Sequence, residues 1–175
     1  MALSNVLFER REIVSKAFSL LFFLTYYLLQ NTSAQTTRLS VEQLARKADL
    51  ILRGHVVEIK SEESLDRRSI ATVIKLSVDE QWKGRKASDV TLRQPGGTVG
   101  GITQNVSGLP RFSLGEDVIV FLQRQEDGSL ATMAGRQGKF VVKTDPQSKE
   151  EFIEDLTGKS QRAKDFLAHV RANLK

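Results

Sequence analysis

The chain has 175 residues, of which 40% are hydrophobic and 27% are charged, proportions that exclude a disordered or fibrous protein and suit one folded domain with short extensions. Its formal net charge is +5, which is too small to predict nucleic-acid binding by itself. It has no cysteine, so disulfide bonds and thiol catalysis are excluded.

Residues 1–34 have the three-part pattern of a secretory signal peptide. A segment containing Arg10 and Arg11 precedes an uncharged apolar run of 13 residues, Ala17–Leu29, and a polar stretch that allows cleavage after Ala34. A membrane-spanning helix needs about 20 residues. We therefore predict an exported protein, periplasmic or secreted, with no permanent membrane span after cleavage. An uncleaved N-terminal anchor is the alternative.

The remaining chain begins with a predicted helix and continues with strands. Ser40 and Gln43 form a capping box, which predicts a short helix from Val41 to about Lys47. Apolar patterns then predict six strands. These are Leu50–Ile59, Ile70–Lys83, Val90–Gln94, Asp117–Gln123, Leu130–Met133 and Lys139–Lys143. Gly54 lies inside the first of them and predicts a bulge or bend there.

The last part of the chain is predicted to be helical. Ser160 is expected to cap a helix from about Gln161 to Asn173, whose apolar residues are spaced to pack on a sheet. The acidic residues within 150–155 suit a solvated turn or helix.

Five or six short strands with a helix at each end favour a mainly β domain, a small β-barrel or a sandwich with the helices packed on it. The predicted organisation is a signal peptide at 1–34, an N-terminal helical segment at 35–48, the barrel at 49–146 and a C-terminal helical segment at 147–175.

Two motifs resemble the netrin-like module of tissue inhibitors of metalloproteinases. They are Ala48–Gly54 and the end of the long alternating strand, Trp82–Gly84. The resemblance implies an OB-type barrel over roughly Asp49–Lys143. That family chelates the zinc of its target through an N-terminal cysteine, and this chain has no cysteine. The inhibitory mechanism therefore does not carry over.

A second group of motifs is similar to an uncharacterised family of exported bacterial proteins. The motifs are Arg93–Gly97, Gly100–Gly101, Val106–Phe112, Gly115–Glu116 and Gln137–Phe140. This resemblance covers nearly the whole mature chain. It implies export and a shared fold, and it brings no activity with it.

The segment Arg93–Phe112 is rich in glycine and proline. It lacks the Lys-Ser/Thr pair and the following helix of a phosphate-binding loop. Its glycines suit tight turns between strands, and we favour this architectural interpretation. A long connection on a rigid scaffold is also where partners often bind. The candidate partner-binding residues are Arg93, Pro95, Gly97, Gly100, Gly101, Gln104, Ser107, Pro110, Arg111 and Phe112.

Catalytic and metal-binding patterns are not found. His55 and His169 have no partner at ligand spacing, so no metal or cofactor is predicted. Ser107 lacks the flanking glycines of a nucleophile elbow. A trio of Ser107, His55 and an acid is the kind of combination that most chains contain by chance. No catalytic residue is predicted.

Nucleic-acid binding is the familiar use of OB barrels and needs aromatic side chains in a basic groove. Arg93, Arg111, Arg136 and Lys139 are the basic candidates near Phe112. The mature chain has few aromatic residues, and export removes the usual ligand, so no nucleic acid is expected.

The sequence thus predicts an exported, non-catalytic binding module whose partner is another exported or envelope protein. Three alternatives remain open. They are an inhibitor or chaperone of an exported protease, an exported hydrolase that uses Ser107 or carboxylates, and a structural component of the envelope. The oligomeric state is not predicted.

Overall fold

The structure, a computed structural model, describes residues 38–63 and 69–174. The predicted signal peptide and its cleavage after Ala34 lie outside the described residues. Strands form 49% of the described residues and helices 16%, which confirms a mainly β fold. Within the same residues, none of the helices has the length and apolar character needed to cross a bilayer.

The described chain contains two α-helices, ten strands and one 3-10 helix. In order they are α1 Val41–Lys47, β1 Leu50–Glu63, β2 Ile70–Lys83, β3 Asp89–Pro95, β4 Gly97–Val99, β5 Ile102–Gln104, β6 Asp117–Arg124, β7 Leu130–Thr132, the 3-10 helix Gly135–Gly138, β8 Lys139–Thr144, β9 Glu151–Glu154, β10 Ser160–Arg162 and α2 Ala163–Ala172. The six predicted strands are all present. The sequence did not predict β4, β5, β9 or β10.

Helix α1 begins at the predicted capping box. The backbone N–H of Gln43 donates to Ser40 Oγ at 3.3 Å, and the backbone N–H of Ser40 donates to Gln43 Oε1 at 2.9 Å. At the other end, Lys83 Nζ donates to the carbonyl oxygens of Ala45 and Arg46 at 3.0 and 2.9 Å. A cation from β2 therefore satisfies the carbonyl groups at the negative end of the helix dipole.

Eight strands form one antiparallel sheet, in the order β10-β9-β8-β6-β1-β2-β3, with β7 paired to β6. The outer edge of β6 is shared between two strands. Val118–Val120 pair with β8, whereas Leu122–Arg124 pair with β7. Strands β3 and β7 lie side by side, but they form no backbone ladder with each other.

The sheet is therefore not closed, and the prediction of a barrel is wrong. The reason lies in β7, which has only three residues. After it, the chain turns through the 3-10 helix Gly135–Gly138 to cover the other half of β6 as β8. No strand of the described chain continues the ladder to β3. The relation of this chain to the netrin-like module stays a prediction.

Both faces of the sheet are covered, which explains why β6 is apolar at every position from Val118 to Leu122. On one face, α1 and α2 pack on the sheet. This cluster contains Leu44, Ala45, Ala48, Ile51, Ile119, Phe121, Met133, Phe140, Val142, Ile153, Ala163, Phe166 and Val170. On the other face, apolar residues of β1, β2, β3 and β6 pack against one another. That cluster contains Leu50, Leu52, Val56, Ile74, Leu76, Val90, Leu92, Val118, Val120 and Leu122.

The irregularity predicted at Gly54 is confirmed, because the register of β1 against β2 shifts between Arg53 and Gly54. A Cβ at Gly54 would overlap the backbone carbonyl of Ser77 on β2. Backbone atoms within a ladder cannot move aside as a flexible side chain does. We therefore expect Gly54→Ala to lower the free energy of unfolding by about 1–3 kcal/mol, as overpacking does. Denaturant titration measures this loss, and an unchanged midpoint would contradict the close approach.

The C-terminal segment differs from the helical prediction for 147–175. Residues 151–154 and 160–162 form a β-hairpin, and only 163–172 are α-helical. Ser160 lies in β10 and does not cap α2. The helix begins after Arg162, whose side chain donates to Asp165 at 2.9 Å.

A turn that is held by the side chain of Asp155 explains the unexpected hairpin. Asp155 Oδ1 accepts the backbone N–H groups of Thr157 and Lys159 at 2.8 and 3.1 Å, and Gly158 has a φ of 78°. Aspartate and glycine in these positions favour a tight turn. The strands on either side have four and three residues, which is too short to display a clear alternation.

Candidate functional site

The predicted loop between β3 and β6 contains a small hairpin, residues Gly97–Gln104, which we call the arm. Its two strands pair Gly97 with Gln104 and Val99 with Ile102. Gly100 and Gly101 form the turn with φ values of 57° and 82°. Positive φ at both positions is typical of two-residue hairpin turns and costs glycine little. The interpretation of these glycines as turn residues is confirmed.

The base of the arm is held against β1 and β2. The backbone N–H of Ile70 donates to Gln104 Oε1 at 2.8 Å, and the backbone N–H of Thr98 donates to Ser61 Oγ at 3.3 Å. A Cβ on Gly97 would overlap the side chain of Ser61, so this approach requires glycine. These two hydrogen bonds and the close approach of Gly97 to Ser61 fix where the arm leaves the sheet.

The tip of the arm is open to solvent. Nothing lies within 4 Å of the position that a Cβ would occupy on Gly100 or Gly101. Ile102, which follows these glycines, is 67% exposed. The arm thus presents the apolar side chain of Ile102 from a fixed base.

Three other predicted residues are not part of the arm. Arg93 pairs with Glu62 at 2.8 Å, and with Pro95 it lines a separate cleft near the turn between β6 and β7. Ser107 is exposed and makes no side-chain hydrogen bond to the described residues. The structure therefore does not gather all the predicted residues into one site.

The last part of the predicted segment lines a second surface, a cleft of about 160 Å³ that we call the Pro110 cleft. It is lined by Pro110, Arg111, Arg136, Lys139, Val141, Glu154, Asp155 and Leu156. Lys139 Nζ donates to Glu116 at 2.7 Å and to the carbonyl oxygen of Arg111. It also lies 4.7 Å from the centroid of the Phe112 ring, a cation–π contact. The structure thus brings Arg111, Arg136 and Lys139 together beside Phe112.

The sequence did not reveal a cluster of ion pairs centred on Arg53. Its guanidinium bonds to Asp117 at 3.1 and 2.7 Å and to Glu151 at 3.0 and 2.6 Å. The side chains of Arg53 and Asp117 are only 16% and 19% exposed. Hydrogen bonds from Arg53 lower the pKa of Glu151, and those to Asp117 and Glu151 raise the pKa of Arg53. One feature of the sequence could have indicated this cluster, namely the position of Arg53 inside an apolar strand. A buried arginine requires an acidic partner.

His55 extends this cluster toward β2. Its Nδ1 lies 2.7 Å from Asp79 Oδ2, and its Nε2 lies 3.9 Å from Asp117 Oδ2. One ligand atom from each residue lies within 4.8 Å of the others. However, the two ring nitrogens face different carboxylates, and a metal ion takes only one nitrogen from a ring. Asp117 is already bonded twice to the permanent charge of Arg53. The geometry therefore fits separate contacts of the ring with two carboxylates better than metal binding.

The same cluster does not resemble a hydrolytic site. A catalytic serine needs a histidine nitrogen within hydrogen-bond reach and an acid on the other nitrogen. Both nitrogens of His55 face carboxylates. Within the described part of the chain, no serine or threonine hydroxyl bonds to His55. The second histidine, His169, lies on α2 at 4.0 Å from Glu42.

Comparison with protein-family models finds no match for this chain, and comparison with curated proteins finds no significant match.

Proposed function

We propose that this chain is an exported, non-catalytic binding module that holds a partner protein through the tip of the arm. The observation that carries the proposal is the exposed Ile102 at the end of a hairpin whose base is fixed by Gln104 and Thr98. A fixed base lowers the entropy that must be lost when the tip is ordered against a partner. Export rests on the signal-peptide pattern of residues 1–34.

The shape of the arm favours a protein partner over a small molecule. Small-molecule sites are concave and enclose most of their ligand. The tip of the arm projects as a hairpin and offers the aliphatic side chain of Ile102, with nothing beside its glycines. A projecting apolar tip is suited to a groove or pocket on another protein. Inhibition or chaperoning of an exported protease would be one use of this contact.

We also propose that β3, β2, β1, β6 and β7 correspond to an unclosed netrin-like module. The resemblance of Ala48–Gly54 and Trp82–Gly84 supports the proposal. The position of β7 beside β3 supports it as well, because those are the two edges that a closed barrel would join.

We expect Ile102→Asp to abolish capture of the partner while leaving the free energy of unfolding within about 0.5 kcal/mol of the original, since the side chain is mostly in water. The measurement is a pull-down from the envelope fraction of the host, followed by mass spectrometry and by thermal unfolding of the same variant.

The matched control is Leu114→Asp, because Leu114 is 69% exposed and lies outside the arm. This variant should retain the captured protein. Equal loss of capture in both variants would show that general surface polarity is responsible. A large loss of stability in Ile102→Asp would instead support a purely architectural role for the arm.

A further inference from the structure

The charges around the Pro110 cleft are not balanced. Its two carboxylates are already occupied, since Glu154 pairs with Lys143 and Asp155 pairs with Arg38 at 3.2 Å. Among its cations, Lys139 is paired with Glu116 at 2.7 Å. The side chains of Arg111 and Arg136 are exposed and have no ion-pair or hydrogen-bond partner among the described residues. Two arginine charges therefore remain available at the cleft.

The backbone that carries these two arginines is held in place. The backbone N–H of Arg136 donates to the carbonyl oxygen of Gly108 at 2.9 Å, and a Cβ on Gly135 would overlap the same carbonyl group. The carbonyl of Pro110, which is buried, accepts a hydrogen bond from Gln94 Nε2 at 3.2 Å. The segments before both arginines are thus packed on each other. Only the side chains need to be ordered when a ligand arrives.

The cleft also offers apolar surface. Leu156, in the turn between β9 and β10, is 45% exposed and lines the cleft with Pro110 and the half-buried Val141. The hydrogen bonds of Asp155 to Thr157 and Lys159 hold this turn. Apolar contact and unpaired guanidinium groups are therefore offered by the same cleft.

We propose that the Pro110 cleft binds a short acidic segment of a partner protein, in which a carboxylate lies next to a leucine-sized apolar side chain. Arginine forms paired hydrogen bonds with carboxylates, so charge complementarity selects the acidic group. A volume of about 160 Å³ is below the range of roughly 300–1,000 Å³ that holds a drug-sized ligand. The cleft therefore suits one or two side chains of a peptide.

This inference rests on the proposed binding function and adds the chemistry of the partner. The cleft and the arm share no lining residue, so the two contacts can be tested separately. A polyanion such as a nucleic acid or a sulfated glycan would need only the arginines, whereas an acidic apolar peptide also needs Leu156. This difference separates the ligand classes by experiment.

The test measures fluorescence anisotropy of the full chain with a labelled peptide of alternating Glu and Leu, and with a matched peptide of alternating Gln and Leu. We expect the acidic peptide to bind at least tenfold more tightly, with affinity that falls as salt is added. Arg111→Gln and Arg136→Gln should each weaken it by about tenfold, the effect of losing a charge-assisted bond. Leu156→Ser should weaken it by about threefold or more, as expected for a lost apolar contact.

The matched control is Arg85→Gln, which removes the same charge from an exposed arginine outside the cleft. It should leave binding unchanged. Absence of binding, equal binding of the two peptides, or equal weakening by Arg85→Gln would overturn the proposal. So would tight binding of heparin or a single-stranded oligonucleotide that is insensitive to Leu156→Ser.

Ile102→Asp separates this proposal from the one about the arm. Peptide binding that depends on both arginines and is retained in Ile102→Asp supports the cleft, whatever happens to partner capture. If Ile102→Asp then still captures the partner, the arm proposal fails and the cleft proposal stands. Loss of capture in Ile102→Asp with no peptide binding by the original chain refutes the cleft alone.

Discussion

Replacing Phe166 with alanine is expected to lower the free energy of unfolding by about 3–5 kcal/mol. The side chain is fully buried, and its ring lies 4.8 Å from that of Phe140 and 6.3 Å from that of Phe121, measured between centroids. It is the largest buried side chain that α2 places on the sheet. No side-chain hydrogen bond caps the start of α2, so packing rather than local structure holds this ten-residue helix.

Chemical denaturation followed by far-ultraviolet circular dichroism measures the effect of Phe166→Ala. Leu167→Ala is the matched control, because Leu167 lies on the same helix and is only half-buried. Its expected loss is about 1 kcal/mol, in proportion to the smaller buried area. Phe166→Leu retains much of the volume and provides a measurable intermediate if the alanine variant is unfolded. A smaller loss for Phe166→Ala than for Leu167→Ala would contradict the docking of α2 through this ring.

The second large effect is expected for Arg53→Met, which should lower the free energy of unfolding by about 2–4 kcal/mol. Methionine keeps much of the side-chain length but leaves Asp117 and Glu151 without their counterion. Removing one partner of a buried pair costs about 3–5 kcal/mol, and the residual exposure of this network reduces that figure. The exposed pair of Arg162 and Asp165, 2.9 Å apart, provides the control. Arg162→Met should cost no more than about 0.5 kcal/mol.

The same variant should change the pH dependence of stability. Hydrogen bonds from Arg53 lower the pKa of Glu151 in the folded chain below its ordinary value of about 4.3. Stabilisation from this pair is therefore complete at pH values well above that ordinary pKa and is lost as the pH falls toward and through the lower folded-state pKa. We expect the stability difference between the original chain and Arg53→Met to shrink between pH 5 and pH 3. A constant difference over that range would show that Glu151 does not depend on Arg53.

Long elements were predictable from the sequence because their patterns repeat. Strand β2 has 14 residues, enough for seven alternations of apolar and polar positions, and its predicted bounds match the structure. The capping box at Ser40 and Gln43 located α1 because capping involves only residues within one turn. Strands of three or four residues, such as β5 and β9, display too few repeats to distinguish a strand from a loop.

The functional surfaces were predictable only in part. Glycine content identified the segment that contains the arm, because positions with positive φ favour glycine. No local sequence pattern indicates the Arg53 network, since Arg53 is separated from Asp117 by 64 positions and from Glu151 by 98. Pairing of distant charges depends on which strands become neighbours. The same is true of Arg111 and Arg136, which line one cleft because Gly108 packs on the 3-10 helix.

The sequence by itself determined that this chain lacks cysteine, that it forms a mainly β domain with a capped N-terminal helix, and where its long strands and turn glycines lie. These properties depend on composition and on neighbours within a few residues. Only the tertiary structure decided that the sheet stays open, that β6 shares one edge between two strands, and which arginines remain unpaired. Those outcomes depend on contacts between distant segments. Residue periodicity records whether a position is buried but not which strand edge or charge it meets.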